Sequence, residues 1–298
     1  MNKTTTEKTL LIDYLKSIRL HHWPKNLLVF FPALTGHLIT IENLILLSFL
    51  FISLSFVASG LYLMNDLLDL ENDKNHPTKR NRAIAKGLLS SKTAKISSLS
   101  LVAIGLITSF TVLTEAGILI SVYILLVSFY SLYFKKHPFF EAFLLTLVYL
   151  LRIYIGVIAI GTDISQWMLI FSFFFFFFLV LEKRHTELSL YIDSKLDDPT
   201  GRGYKVKDLN LIQSLGVSSA LTSLLVFGLY ISSPKVQDLY TSPVYLWGIL
   251  LLGFLWVLNL IVTSNKGEMQ HDPIVFAFTN KTSLVIFFLS LIIVVISI

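Results

Sequence analysis

From residue 27 to residue 298 the chain reads as a succession of apolar stretches, most of them close to the roughly 20 residues an α-helix needs to cross a bilayer. Nine spans are expected, at about 27–41, 44–63, 93–114, 116–134, 139–160, 164–181, 209–231, 244–263 and 282–298. Hydrocarbon cannot solvate backbone N–H and C=O groups, so each stretch must satisfy its own as a helix. The expected fold class is all-α, a polytopic membrane protein. Composition agrees: 14% of the 298 residues are charged, where soluble domains carry roughly a quarter. The run of six phenylalanines at 173–178 is expected to be lipid-facing bulk. The chain has no cysteine, which excludes disulfides and thiolate metal sites. Its first 26 residues are polar and basic and lack an apolar core before a cleavage site. The first span is therefore expected to serve as its own insertion signal.

The connections alternate in charge. Those after the odd-numbered spans are short or nearly uncharged. The N-terminal segment and the connections after the even-numbered spans hold 22 of the 24 Lys and Arg residues. The positive-inside rule then places the N-terminus and the large loops in the cytoplasm and the C-terminus outside, in a cell (inner) membrane. The net charge of +5 follows from this topology, so nucleic acid is not an expected partner; the lipid bilayer is. No fixed-period repeat or low-complexity linker divides the chain. Residues 1–298 are read as one domain, with 1–26 an interfacial segment and 64–92 and 182–208 cytoplasmic loops that carry the chemistry.

The densest charge is "NDLLDLENDKNHPTKRNR", residues 65–82, directly after the second span. Asp66, Asp69 and Asp73 are spaced i, i+3, i+7, which puts them on one face of a continuous helix with Asn65 beside them. Like charges so placed repel and call for a cation. Carboxylates suit Mg²⁺, which takes one or two of them together with water and substrate phosphate. Lys79, Arg80 and Arg82 follow within a few turns and suit phosphate oxygens. The competing reading is a solvated acidic face paired with these bases; a metal–pyrophosphate site is preferred because the pattern lies where a span meets a loop. The spacing is not that of a calcium EF-hand loop.

Other polar groups on the same membrane side are open to two readings each. "RLHHWPKN" (19–26), with Arg19, Lys25 and Asn26, is either an interfacial anchor or part of an anion site. In "LEKRHTEL" (181–188), Lys183 and Glu187 form an intrahelical ion pair or join Arg184 in binding. In "GRGYKVKD" (201–208), Arg202 and Tyr204 belong to an ordinary loop or to an anion cradle. Arg152 lies inside a span, where a charge is costly and faces a polar cavity or a partner such as Glu141. The seven histidines form no zinc pattern.

Taken together, the chain resembles the UbiA-type intramembrane prenyltransferase superfamily. Its first aspartate motif, NDxxDxxxD, is matched by Asn65, Asp66, Asp69 and Asp73. The opening "RLHHWPKNLLVFFP", the tail "HPTKRNRAIAKG", "KRHTEL" and "DPIVFAFTNK" (272–281) are similar to the decaprenyl-phosphate phosphoribosyltransferase branch. UbiA-type quinone and haem enzymes carry a second aspartate-rich motif after span six; here Lys183, Arg184 and Glu187 stand there instead. The resemblance implies helices bundled around a central cavity open to the cytoplasmic side. It implies a Mg²⁺-dependent transfer of 5-phosphoribosyl from phosphoribosyl pyrophosphate to a polyprenyl phosphate, releasing pyrophosphate, for cell-envelope polysaccharide precursors.

In that reading Asn65, Asp66, Asp69 and Asp73 coordinate Mg²⁺, and Lys79, Arg80 and Arg82 hold donor phosphates. Lys25, Asn26, Arg152, Lys183, Arg184, Glu187, Arg202 and Tyr204 serve the acceptor or the remaining phosphate. The alternatives are transfer of an isoprenyl chain from its diphosphate to an aromatic acceptor, and non-enzymatic polyprenyl-phosphate binding or transport. Whether the chain forms a homo-oligomer is not written in its sequence.

Overall fold

A computed structural model describes residues 14, 17–75, 79–163, 165–193, 198, 203–269 and 273–298. All regular structure among them is helical. Among the described residues the long helices are eight: α1 (Ile41–Leu68), α2 (Ser91–Val112), α3 (Thr114–Leu132), α4 (Phe140–Ile160), α5 (Gln166–Asp193), α6 (Leu209–Ile231), α7 (Leu246–Asn265) and α8 (Lys281–Ser297). Those from α1 to α7 are long and apolar enough to cross a membrane, and α8 is a shorter apolar helix of 17 residues. The protein is an all-α, multi-pass membrane protein.

The first expected span is not one α-helix. Leu20–Phe30 is a 3₁₀ helix containing Pro24, Phe31–Thr35 is a five-residue α-helix with Pro32 in its first turn, and residues 38–40 have no regular structure. Two prolines remove two amide donors within nine residues, which breaks the i→i−4 ladder that a membrane helix requires. The sixth span errs the other way. α5 continues past the phenylalanine run to Asp193, so Lys183, Arg184 and Glu187 sit on a helix and not in a loop.

The chain forms two compact units. The first comprises residues 1–134 and 151–162, and the second 135–150 and 163–298. In the first unit α1 packs along α2, and α2 along α3. Small residues set the α1–α2 approach. A Cβ on Gly60 would fall 2.7 Å from the Ser98 carbonyl oxygen, and one on Gly105 would fall 2.5 Å from that of Ser53. Ser98 donates to the Gly60 carbonyl at 2.7 Å. Apolar attraction between helices is weak in lipid, so close backbone approach and such hydrogen bonds carry the packing.

The 3₁₀ segment lies against α1 and is tied to it by polar bonds. The Trp23 indole donates to Ser59 at 3.0 Å, Ser59 donates to the Ile18 carbonyl at 2.7 Å, and the Asn26 amide donates to Ser55 at 3.0 Å. Within "RLHHWPKN", Lys25 and Asn26 are buried, while Leu20 and His21 are exposed.

In the second unit α5 packs along α6. The phenylalanine run contributes to this interior: Phe178 is fully buried, and Phe176 stacks on Tyr149 with ring centroids 4.8 Å apart. None of the six is fully exposed, so the run is packing material and not only a lipid-facing surface. Six aromatic rings in succession cover every face of the helix, and some of those faces meet α4 and α6.

Candidate functional site

The first cluster is built around the end of α1. Asn65 and Asp66 occupy its last turn; the helix stops at Leu68, and a short helix, Leu70–Lys74, restarts after Asp69. Asp66 and Asp73 are buried, at 4% and 3% exposure, whereas Asp69 is half-buried and accepts the Asn65 side-chain amide at 3.2 Å. Nη1 of Arg82 lies 2.9 Å from Asp66 Oδ1 and 2.6 Å from Asp73 Oδ2. Arg19 Nη2 donates to the same Asp66 oxygen at 2.5 Å, and its guanidinium lies 4.8 Å over the Tyr62 ring.

Apolar packing delivers Arg82 to this point. Ile84 is buried with Leu63, Ala94 and Ile18, which folds the segment after residue 79 back onto the end of α1. Arg19 has left-handed backbone angles, φ 54 and ψ 50, which a non-glycine residue adopts at a cost of about 1–3 kcal/mol. The ion pair and the tyrosine face offset that cost.

A single cationic nitrogen is thus shared by two buried carboxylates. Among the described residues no three Asp, Glu or His side chains converge to hold a metal ion. A divalent ion here would rest on Asp66 and Asp73, with water or phosphate oxygens filling its remaining positions, the pattern usual for Mg²⁺. Two acidic oxygens that already share one cation fit that requirement. Lys79 is half-buried and Arg80 exposed, on the 3₁₀ turn Lys79–Asn81 that leads into Arg82.

The second cluster lies in the other unit, on α5. Arg184, 2% exposed, donates through Nε to Glu141, which is fully buried on the first turn of α4, and through Nη1 to Glu187 at 2.5 Å. Glu187 therefore pairs with Arg184, three residues before it. Lys183 is half-buried on the neighbouring position. Glu141, one partner considered for Arg152, accepts from Arg184.

Arg152 belongs to the first unit. Its Nε donates to Asn26 Oδ1 at 2.8 Å, its Nη2 to the Tyr123 hydroxyl at 2.9 Å, and its guanidinium lies 4.9 Å over the Tyr123 ring. Asn26 thus links Arg152 to Ser55 of α1. Tyr204 belongs to the core of the second unit. It is 1% exposed among Leu181, Leu188 and Ile212, and its hydroxyl accepts the Phe139 N–H at 2.8 Å. Phe139 has φ 65, so this bond secures a left-handed turn. Tyr204 thus supports the core and the Phe139 turn of the second unit. Arg202 lies outside the described residues.

A sequence model of the UbiA prenyltransferase family matches residues 29–292. The chain belongs to the UbiA prenyltransferase family. Among relatives, the uncharacterized protein y4nM of Sinorhizobium fredii is 34% identical over 91% of this chain, which spans 53% of that protein, about half its length. Nodulation protein NoeC of Azorhizobium caulinodans is 28% identical over 95% of this chain and 92% of its own. Decaprenyl-phosphate phosphoribosyltransferase of Corynebacterium glutamicum is 33% identical over 63% of this chain and 58% of its own. A solved UbiA homolog from Archaeoglobus fulgidus, bound to GPP and Mg²⁺, has the same fold with a TM-score of 0.71. It is 14% identical, over 94% of this chain and 99% of that one.

Within this UbiA-family chain, three groups matter more than the sequence alone indicates. Arg19 belongs to a basic stretch; its signal is a cation just ahead of the apolar sequence on the side that carries the aspartates. Glu141 carries no signal in the sequence beyond being a candidate partner for Arg152. Glu182 and His185, both 3% exposed, lie on α5 among the apolar residues and meet Ser264 of α7. His185 Nδ1 lies 3.1 Å from Ser264 Oγ, Thr186 Oγ1 lies 3.0 Å from it, and Glu182 hydrogen-bonds it as well. Glu182 and His185 both sit in the charged stretch just past the sixth expected span, so apolar length gives no signal that singles them out.

Proposed function

We propose that this UbiA-family protein is an enzyme that transfers a 5-phosphoribosyl group from phosphoribosyl pyrophosphate to a polyprenyl phosphate, releasing pyrophosphate. The observation that carries the reading is the pair of buried carboxylates, Asp66 and Asp73, converging on one cationic nitrogen beside a basic turn. Similarity to the corynebacterial phosphoribosyltransferase supports the choice of donor. Asp66 and Asp73, with Asn65 and Asp69 next to them, would hold Mg²⁺, which when bound takes up charge on the departing pyrophosphate. Lys79, Arg80 and Arg82 hold the donor's phosphate oxygens. An oxygen of the lipid phosphate forms the new bond to ribose C1 as the C1–pyrophosphate bond breaks. That oxygen is already anionic, so no general base is required, and the protein's task is to orient it. Lys183 is the cation offered to a phosphate in the second cluster, while Arg184 holds Glu141 and Glu187 in place.

One observation favours the prenyl-transfer reading. Glu141 and Glu187 flank Arg184, so the second cluster contains two carboxylates and is not simply basic. An acidic pair there suits a metal-bound isoprenyl diphosphate, as the family name suggests. Purified protein with Mg²⁺ distinguishes the two. Radiolabelled phosphoribosyl pyrophosphate with polyprenyl phosphate is expected to yield a labelled lipid, whereas label transfer only from isoprenyl diphosphate to an aromatic acid would overturn the proposal.

A further inference from the structure

We propose that Arg82, backed by Arg19, keeps the carboxylates of Asp66 and Asp73 occupied until a diphosphate arrives together with its divalent ion. The site thereby selects the metal–diphosphate complex over the free ion. The inference rests on the reading that this cluster holds a metal and a diphosphate, but not on the identity of the group attached to the diphosphate.

The argument starts from burial. Two carboxylates that are 4% and 3% exposed cannot both remain ionised close together without a cation between them. The structure supplies that cation from the chain itself. One nitrogen of Arg82 bridges Asp66 and Asp73, and Arg19 shares the Asp66 oxygen that Arg82 uses. A free divalent ion seeking the same oxygens must displace the bridging guanidinium. The displaced side chain is only partly exposed, at 25% for Arg82 and 16% for Arg19, so it stays near the incoming dication and repels it. A diphosphate changes the balance, because its oxygens receive a guanidinium in the forked geometry that arginine favours. The carboxylates pass to the metal, the arginine passes to the phosphates, and no charge is left buried alone.

Linkage then requires reciprocity: pyrophosphate must tighten the metal by the same factor as the metal tightens pyrophosphate. The placement also accounts for Arg19, which the functional roles above leave unused. Its left-handed backbone and its seat over Tyr62 hold it on Asp66 from the side opposite in sequence to Arg82.

The test uses Mn²⁺ titrated into the purified protein, with free Mn²⁺ read by electron paramagnetic resonance. Titrations are run with and without inorganic pyrophosphate, and a protein-free series corrects for ion chelated in solution. Pyrophosphate is expected to tighten Mn²⁺ on the wild type by a factor of about 5 to 150, the usual size of such couplings. Arg82→Gln is expected to bind Mn²⁺ alone about tenfold more tightly and to lose most of that dependence on pyrophosphate. A variant that binds Mn²⁺ no better than the wild type, or a wild type indifferent to pyrophosphate, would overturn the proposal. Should Arg82→Gln not fold, Arg19→Gln decides in the same direction, since Asp66 keeps Arg82 while losing one competitor. Failure of the phosphoribosyl reading alone looks different: Mn²⁺ and pyrophosphate couple as described, yet no labelled lipid forms.

Discussion

Replacing Arg184 by methionine separates a structural from a phosphate-binding role for the second cluster. The Arg184 side chain is 3% exposed, Glu141 0% and Glu187 21%. The substitution keeps most of the aliphatic volume and removes the guanidinium, leaving the Glu141 charge buried without it. Breaking a buried ion pair on one side costs about 3–5 kcal/mol. The better-solvated Glu187 contact adds no more than about 1 kcal/mol. Replacing both partners, as Arg184→Met with Glu141→Leu, removes the stranded charge, and a buried pair exchanged for apolar residues is often close to neutral. The double variant is therefore expected to recover most of the loss, with a coupling of about 2–3 kcal/mol, near the upper end for residues in contact. Reversible unfolding in mixed micelles, followed by tryptophan fluorescence, measures all four corners of the cycle. A single variant within about 1 kcal/mol of wild type, or a double variant no more stable than the single one, would refute the reasoning. Arg184 would then be free to serve a phosphate.

Three further outcomes are expected. Asp66→Asn and Asp73→Asn should each lower turnover by about a hundredfold or more while the protein still inserts, because each removes one of the two buried carboxylates that would hold the Mg²⁺ against the leaving pyrophosphate; near-wild-type rates with labelled donor would remove the assignment. Gly60→Val should weaken the α1–α2 contact by about 1–3 kcal/mol through overpacking against Ser98 and Val102, read by the same unfolding assay. Tyr204→Phe should cost about 1–3 kcal/mol of stability through the unsatisfied Phe139 N–H but leave the KM for either substrate unchanged; a raised KM would return Tyr204 to the binding surface.

The fold class and the candidate residues at the end of α1 were legible because they depend on local patterns. Apolar length sets which segments can cross a bilayer, and Asn65, Asp66, Asp69 and Asp73 are adjacent enough to be seen as a unit. What was not legible is which cations the fold brings to those carboxylates. Asp66 and Asp73 share the face that their spacing predicts, but that spacing does not show that Arg82, folded back by the packing of Ile84, and Arg19, from ahead of α1, meet them there. The end of the sixth span was also misjudged, since hydropathy falls at Glu182 although the helix runs to Asp193.

By itself, then, the sequence determined that this is a helical membrane protein and which charged residues are available for chemistry. Tertiary structure decided the pairing: Arg19 and Arg82 on Asp66, Arg82 on Asp73, Arg184 between Glu141 and Glu187, and Arg152 with Asn26 and Tyr123. The physical reason is that crossing a bilayer is a property of one segment and its solvent, whereas a buried charge must be neutralised by whatever packing brings within reach. Those partners lie as far as 126 residues away along the chain, a separation at which spacing in the sequence carries no signal.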